Sequence, residues 1–281
     1  MERIVSVRPG IGATARIIQG QELRLSRVVV DQPTLIVVAR GRKRLVNGQG
    51  DWVLDTGGAV VLAAGQEFDV INTPTPDGDY RASWLVFDAG VLARYGAERP
   101  NVPPVSDVLP LPRLGPDFLD AYDRAVAAVV VGEDLPAAVA EQRLREVLAW
   151  LGLSGGRPVC PPGGSVAARV RDLFAADPAH GWTAADAARH LAMSEATMRR
   201  RLAEEGQSAQ KILIDVRMHR ALMLLQSTDQ PVTSIAFDVG YDSPSRFAVR
   251  FRERFGHPPT ALRAREGVRG SGAAAPTPLG G

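Results

Sequence analysis

The sequence predicts an α+β chain of two domains: a strand-rich N-terminal sandwich or barrel followed by two helices, then an all-α C-terminal domain. Three observations carry this. Short apolar runs and period-two alternation dominate residues 15–90, while helical periodicity dominates after residue 165. Between the halves lies "SGGRPVCPPGGS" (154–165), rich in Gly and Pro and poor in periodic apolar residues, which reads as a linker. With 281 residues, 45% of them apolar, the chain has material for two cores.

Taken in order, "ELRLSRVVV", "TLIVVARG", "RKRLVNG", "DWVLD", "AVVLAAG", "FDVIN" and "RASWLVFD" read as strands, separated by Gly, Asn, Asp or Pro turns. Such spacing fits a small sandwich or barrel. Two helical patterns follow at 116–131 and 137–153, the second with Asp134 near its cap and Pro136 in its first turn. After the linker, "SVAARVRDLFAAD" leads into "TAADAARHLA", where Thr183 and Asp186 stand at capping-box spacing. A short helix, a long segment over 208–226 and a second pair of short helices complete the domain. The end, "GVRGSGAAAPTPLGG", reads as a disordered tail. The predicted boundaries are 1–153, a linker at 154–165, 166–265, and the tail 266–281.

The C-terminal half contains a repeat. "AARHLAMSEATMRRRLAEEG" (187–206) and "IAFDVGYDSPSRFAVRFRERFG" (235–256) each place a small residue where two helices cross, Ala188 and Ala236. Each has a small residue four later where the chain turns, Ala192 and Gly240. Each restarts a helix behind a serine, Ser194 and Ser243, and ends it at glycine, Gly206 and Gly256. That is a helix-turn-helix pattern twice over.

At about 100° per residue, Met198 and Leu202 share one face of the first such helix. Arg200 and Ala196 point the other way, flanked by Arg199 and Arg201. In the second, Phe247, Phe251 and Phe255 form the buried stripe, while Ser245, Arg246 and Val249 face away. Arginine pairs bidentately with guanine, and apolar groups meet the thymine methyl. The base-reading candidates are therefore Ala196, Arg199, Arg200, Ser245, Arg246 and Val249. Ser194, Arg201, Ser243, Arg250 and Arg252 are candidates for phosphate. The segment between the units is about 19 residues, or about 28 Å of helix, against a DNA pitch of about 34 Å. Residues 165–270 carry net charge +4 and residues 1–164 net −2, a modest asymmetry that fits nucleic acid.

On these residues the C-terminal half resembles the AraC/XylS family of bacterial transcription regulators. The pattern Arg217…Ala221…Leu225 and the stretch "SRFAVRFRERFGHPPTALR" carry the resemblance, through Ser245, Phe247, Phe251, Phe255, Gly256, Pro259 and Arg263. Leu262 stands where an aromatic is usual, and Val249 where a polar residue is common. The resemblance implies a cupin-like β-barrel that senses a small-molecule effector, and helices that dimerise. Trp52, Phe68, Trp84 and Phe87 are then candidates for the effector pocket, and Leu144, Val147, Leu148 and Leu151 for a homodimer interface. It also implies double-stranded DNA as partner, RNA polymerase as a partner of an activator, and a cytoplasmic protein at the bacterial nucleoid.

Other chemistries find little support. All four histidines, His180, His190, His219 and His257, follow the linker, so the barrel lacks the ligands of a metal-dependent enzyme. They read as helix-surface or turn residues, and neither a metal nor another cofactor is expected. Cys160 rules out an internal disulfide, and it reads as a linker thiol rather than a redox sensor. The basic run in "ARGRKRLVNG" (39–48) reads as a charged sheet edge, or as an attractor of an anion or DNA. No run of about 18 apolar residues predicts a membrane span. The alternative function is a small-molecule-binding or catalytic barrel whose helical domain docks to protein. A steep fall of affinity with salt separates DNA binding from it.

Overall fold

The computed structural model describes residues 5–130, 134–160 and 165–263. The N-terminal half holds ten strands in two antiparallel sheets. The larger has the order β1 (Val5–Arg8), β2 (Gly12–Gln19), β9 (Tyr80–Phe87), β4 (Thr34–Arg40), β7 (Ala59–Leu62) and β10 (Val108–Leu111). The smaller has the order β3 (Leu23–Val29), β8 (Glu67–Thr73), β5 (Arg42–Val46) and β6 (Asp51–Asp55).

The larger sheet is buried on both faces. Ile17, Ile36, Val60 and Ala82 point toward the smaller sheet. Leu35, Val61, Leu85 and Phe87 point outward, under helices α1 (Ala89–Glu98), α2 (Pro116–Val130) and α3 (Ala137–Leu153). This explains runs such as "TLIVV" and "AVVL", which are apolar without alternation because neither side meets water.

Helix α3 is where one expectation fails. Leu144, Val147, Leu148 and Leu151 are all fully buried within the chain, packed with α2 and the outer face of the larger sheet. They build the core of this protomer, so they offer no surface to a second copy. The exposed face of α3 instead carries Val139, Gln142, Glu146, Ala149 and Leu153, the last 83% exposed. Pro136 stands at the cap position rather than inside the first turn, without a side-chain bond.

The linker is also less free than its composition implies. Arg157 donates its N–H to Pro103 O at 2.9 Å and accepts from Val105 N at 2.9 Å, strapping residues 154–160 to the barrel. Cys160 packs beside the outer core, and burial pushes its thiol pKa up, the opposite of an activated thiolate. Residues 161–164 and the predicted tail 266–281 lie outside the described residues.

The C-terminal half is helical as predicted: α4 (Val166–Ala176), α5 (Ala184–His190), α6 (Glu195–Glu204), α7 (Ala209–Ser227), α8 (Val232–Asp238) and α9 (Pro244–Phe255). A 3-10 turn closes it at Pro259–Arg263. Serine or threonine caps fix most of the starts. Ser165, Thr183, Ser194, Ser208 and Ser243 each accept from a backbone N–H three residues on.

Its two helix-turn-helix units do not share one core. The first packs Val170, Phe174, Ala188, Met198, Leu202, Ile212 and Val216 together. The second packs Ile235, Ala236, Phe247, Phe251 and Phe255 against the later half of α7, continuous with the barrel interior.

Candidate nucleic-acid interface and ligand cavity

The predicted repeat folds as two helix pairs, α5 with α6 and α8 with α9. In α6, Met198 and Leu202 are buried, and Ala196, Arg199, Arg200 and Arg201 are exposed. In α9, Phe247, Phe251 and Phe255 are buried, and Ser245, Arg246, Val249, Arg250 and Arg252 are exposed. Val249 is 60% exposed. Thr197, half-buried, shares a 2.8 Å hydroxyl contact with Ser194.

The two turns are built differently. Gly240 takes φ +84°, natural for glycine, and Ala192 takes φ +54°, where a side chain costs energy. In both units the turn residue's N–H bonds back into the preceding helix, Ala192 to Arg189 O at 3.1 Å and Gly240 to Phe237 O at 2.8 Å. Gly256 caps α9 in the left-handed region, as the sequence led one to expect.

The exposed arginines are held ready rather than locked. Arg199 pairs with Glu195, and Arg200 lies 3.9 Å from Glu204, both one helical turn away. Such exposed pairs contribute about 0.3–0.5 kcal/mol, little beside a bidentate contact to guanine or a phosphate. Arg201, Arg246 and Arg252 make no ion pair among the described residues. Arg250 pairs with Glu253 at 3.2 Å. The hydroxyls of Ser194 and Ser243 already cap their helices at 3.2 and 3.4 Å, so each serves the helix start.

Arg254 differs from its neighbours. It turns inward, with its Nε 3.2 Å from Asp215 Oδ1 and its Nη2 3.9 Å from Glu67 Oε2, joining α9 to α7 and to the barrel.

A second feature lies between the two sheets, α7 and α4. A cavity of about 400 Å³ is lined by Phe68, Trp84, Leu25 and Val70 from the strands, and by Leu222 and Met223 from α7. Two of the four aromatic candidates therefore face it. Trp52 stands one layer back, edge-on to Phe68 with ring centroids 6.1 Å apart. Phe87 points to the other face of the larger sheet, into the core under the helices. It is two-residue alternation that separates them: Trp84 and Phe87 differ by an odd number of positions along β9 and so lie on opposite faces.

Besides the charged Asp31, Arg171, Asp172 and Arg220, the cavity is lined by Lys43, only 3% exposed. Its Nζ donates to Asn72 Oδ1 at 3.0 Å, and Asn72 Nδ2 donates to Gln19 Oε1 at 3.2 Å. Burial without a carboxylate partner pushes its pKa down to about 7. The basic run at 39–48 is thus not a charged edge. β5 lies inside its sheet between β8 and β6, with Arg42 and Arg44 outward on Asp55 and Asp51, and Lys43 inward.

His219 also lines the cavity, so it is not a surface histidine. Its Nε2 accepts from the N–H of Val29 at 2.9 Å, and its Nδ1 bonds Asp215 O at 2.8 Å. These bonds fix the neutral ring, and burial lowers its pKa. Lys43, Asn72 and His219 were missed in the sequence. For Lys43 the signal was available, since alternation sets it on the side of buried Leu45.

Among the described residues, no three His, Cys, Asp or Glu side chains gather where they would hold a metal, and no helix is long and apolar enough to cross a membrane.

Comparison with known proteins agrees with this geometry. A family model described as a helix-turn-helix domain matches residues 187–265. The HTH-type transcriptional regulator GadX of Escherichia coli O6:H1 is 38% identical over 87 residues, 31% of this chain and 32% of GadX. YdeO of Escherichia coli K12 is 36% identical over 95 residues, 34% of this chain and 37% of YdeO. The virulence regulon transcriptional activator VirF of Shigella flexneri is 36% identical over 78 residues, 28% of this chain and 30% of VirF. The matched stretch thus spans about a third of these curated relatives. The whole fold resembles ToxT from Vibrio cholerae, with TM-score 0.64 and 12% identity over 92% of this chain and all of that one. A second ToxT structure, with an unsaturated fatty acid bound, matches at TM-score 0.63 and 13% identity, covering 91% of this chain and 96% of that one. At such identity the likeness shows the fold. Residues 187–265 are thus similar to the helix-turn-helix domains of these transcription regulators, and the whole chain shares the fold of ToxT.

Proposed function

We propose that this chain is a sequence-specific DNA-binding transcription regulator in which α6 and α9 enter successive major-groove segments on one face of the duplex. The observation that carries the reading is the pairing of two capped helices, each buried on one side and arginine-bearing on the other, across a 19-residue helix. Ala196, Arg199 and Arg200 read bases from the first unit, and Ser245, Arg246 and Val249 from the second. Arg201, Arg250 and Arg252 take phosphates, with the helix starts at Ser194 and Ser243 beside the backbone. In this reading residues 1–153 regulate and dimerise, 154–165 link, and 166–265 bind DNA.

The cavity beside Lys43 holds the effector. Its apolar walls and the buried amine of Lys43 favour a small molecule with an apolar body and a hydrogen-bond-accepting or anionic head. ToxT, similar in fold, has an unsaturated fatty acid bound in one structure, which supports that class. The output is activation, the role that VirF's name carries, with RNA polymerase as the partner in this reading. A homodimer forms through the exposed face of α3.

Selection of bound duplexes from a random library at near-physiological salt tests the main reading. The expected result is a site of two short blocks about one helical turn apart. Without enrichment, in the presence or absence of cell extract as a source of effector, the arginine faces are only solvated. On the selected site, Arg200→Ala is expected to cost about 1–3 kcal/mol and to relax preference at one base pair. Equal weakening on every sequence would make Arg200 a phosphate contact instead.

A further inference from the structure

We propose that Arg217 is a positioning residue. With Gly240 it forms a joint that sets the alignment of the two reading helices, and hence the spacing between DNA blocks that the chain accepts. This rests on the DNA-binding reading above.

The two units need such a joint. Their cores are separate, and the division falls within α7: Ile212 and Val216 belong to the first core, Met218 and Ala221 to the second. Arg217 sits at the crossover. Long helices are rarely straight, and with no core shared between the units α7 by itself leaves the mutual angle of α6 and α9 loosely set.

Arg217 reaches both units at once. Its Nε donates to Pro178 O at 2.8 Å and its Nη2 to His180 O at 3.0 Å, both in the loop that leads into α5 of the first unit. Its guanidinium lies 5.9 Å from the ring centroid of Tyr241, in the turn that leads into α9 of the second. Gly240 makes the approach possible. A Cβ there would lie 2.7 Å from Arg217 Nη2 and 3.0 Å from Ala179 Cα, so the loop of one unit and the turn of the other meet with no room for a methyl group.

The chemistry needs arginine. Two carbonyls are held by one planar fork, while the same plane faces an aromatic ring. A lysine ammonium lacks both the fork and the plane. Each partner lies within a few residues of the helix-turn-helix unit it orients. Rigid coupling of two modest binding surfaces multiplies their affinities only when both fit at once. A loosened joint therefore leaves each unit its own contacts and removes the penalty for a wrong spacing.

The experiment uses the full chain and the selected site rebuilt with one or two base pairs added to or removed from between its blocks. Wild type is expected to lose about tenfold in affinity at one base pair off its best spacing, the cost of misplacing one block. Arg217→Met is expected to reduce that discrimination to about threefold and to weaken the best site, with binding to a single isolated block unchanged. Arg217→Lys, which keeps the charge and fold, should fall between them, and it serves alone if the methionine variant does not fold. Sharp discrimination retained in the variants, or equal weakening at every spacing and on single blocks, overturns the joint. A wild-type chain that selects no two-block site overturns the DNA reading itself, an outcome separable from the first.

Discussion

Between pH 7 and pH 10 the chain is expected to gain stability relative to its Lys43→Met variant, by on the order of 4 kcal/mol. Lys43 is almost wholly buried, its Nζ bonded to Asn72 with no carboxylate beside it, and burial pushes its pKa down to about 7. In the unfolded chain the same lysine titrates near its ordinary value, about 10.4. Between these values the unfolded state binds one more proton than the native state, so stability rises by about 1.4 kcal/mol per pH unit. Below pH 7 both states are protonated, the desolvation cost is present in full, and the two curves run parallel. Methionine matches the length of the stem without the charge. Urea midpoints of both proteins at several pH values measure the difference. Parallel curves from pH 7 to pH 10 would mean that the ammonium is hydrated and the cavity is not dry. A ligand with an anionic head should raise the lysine pKa again and flatten the rise.

Phe251→Ala is expected to cost about 3–5 kcal/mol, the range for emptying an aromatic from a packed core. Phe251 is fully buried between Phe247 and Phe255, with ring centroids 5.7 and 4.7 Å away. In a chain of this size the thermal midpoint should fall by about 10 °C, read from helical circular dichroism. A fall of only about a degree would show that the second unit repacks without its central ring. Because the first unit has its own core, its contacts with a single DNA block should outlast those of the second.

The strands that were legible were those with turns on both sides and either alternation or an unbroken apolar run between. The three missed strands break those rules for local reasons. β2 opens on Gly12, where a Cβ would lie 2.3 Å from Val86 O, and continues through Ala13 and Ala15, so its apolar count is low. β10 contains Pro110, which reads as a break and is tolerated because β10 is an edge strand bonded only to β7. β1, with four residues, is too short to show a period. Helix α1 is capped by Asp88 at the end of β9 and follows without a loop, so no turn announces it.

The candidate interface was more legible than the cavity, for a physical reason. A helix exposed on one face writes both faces into consecutive residues, and Met198 with Leu202 against Arg200 is readable alone. The cavity collects residues from distant strands and from α7. Phe68 and Trp84 face it and Phe87 does not, which only the register of β9 between β2 and β4 decides. The burial of Leu144 and Leu148 was likewise hidden, because a helix stripe does not say whether it faces a sheet or a second copy.

The covalent boundary of this protein and its cooperative boundary are in different places. The sequence divides at residues 154–165, yet the barrel interior runs on into the second helix-turn-helix unit, while the first unit keeps its own core and meets the barrel through the Arg171–Asp31 pair at 2.9 Å. Severing the linker would therefore not liberate two finished bodies. It would strip the second unit of part of its own interior and leave Leu222 and Met223 facing water. A molecule entering the cavity has no distance over which to transmit a signal. It becomes a structural part of the second reader through Leu222 and Met223 and touches α4 of the first through Ala175, and what it changes first is how firmly the readers are built.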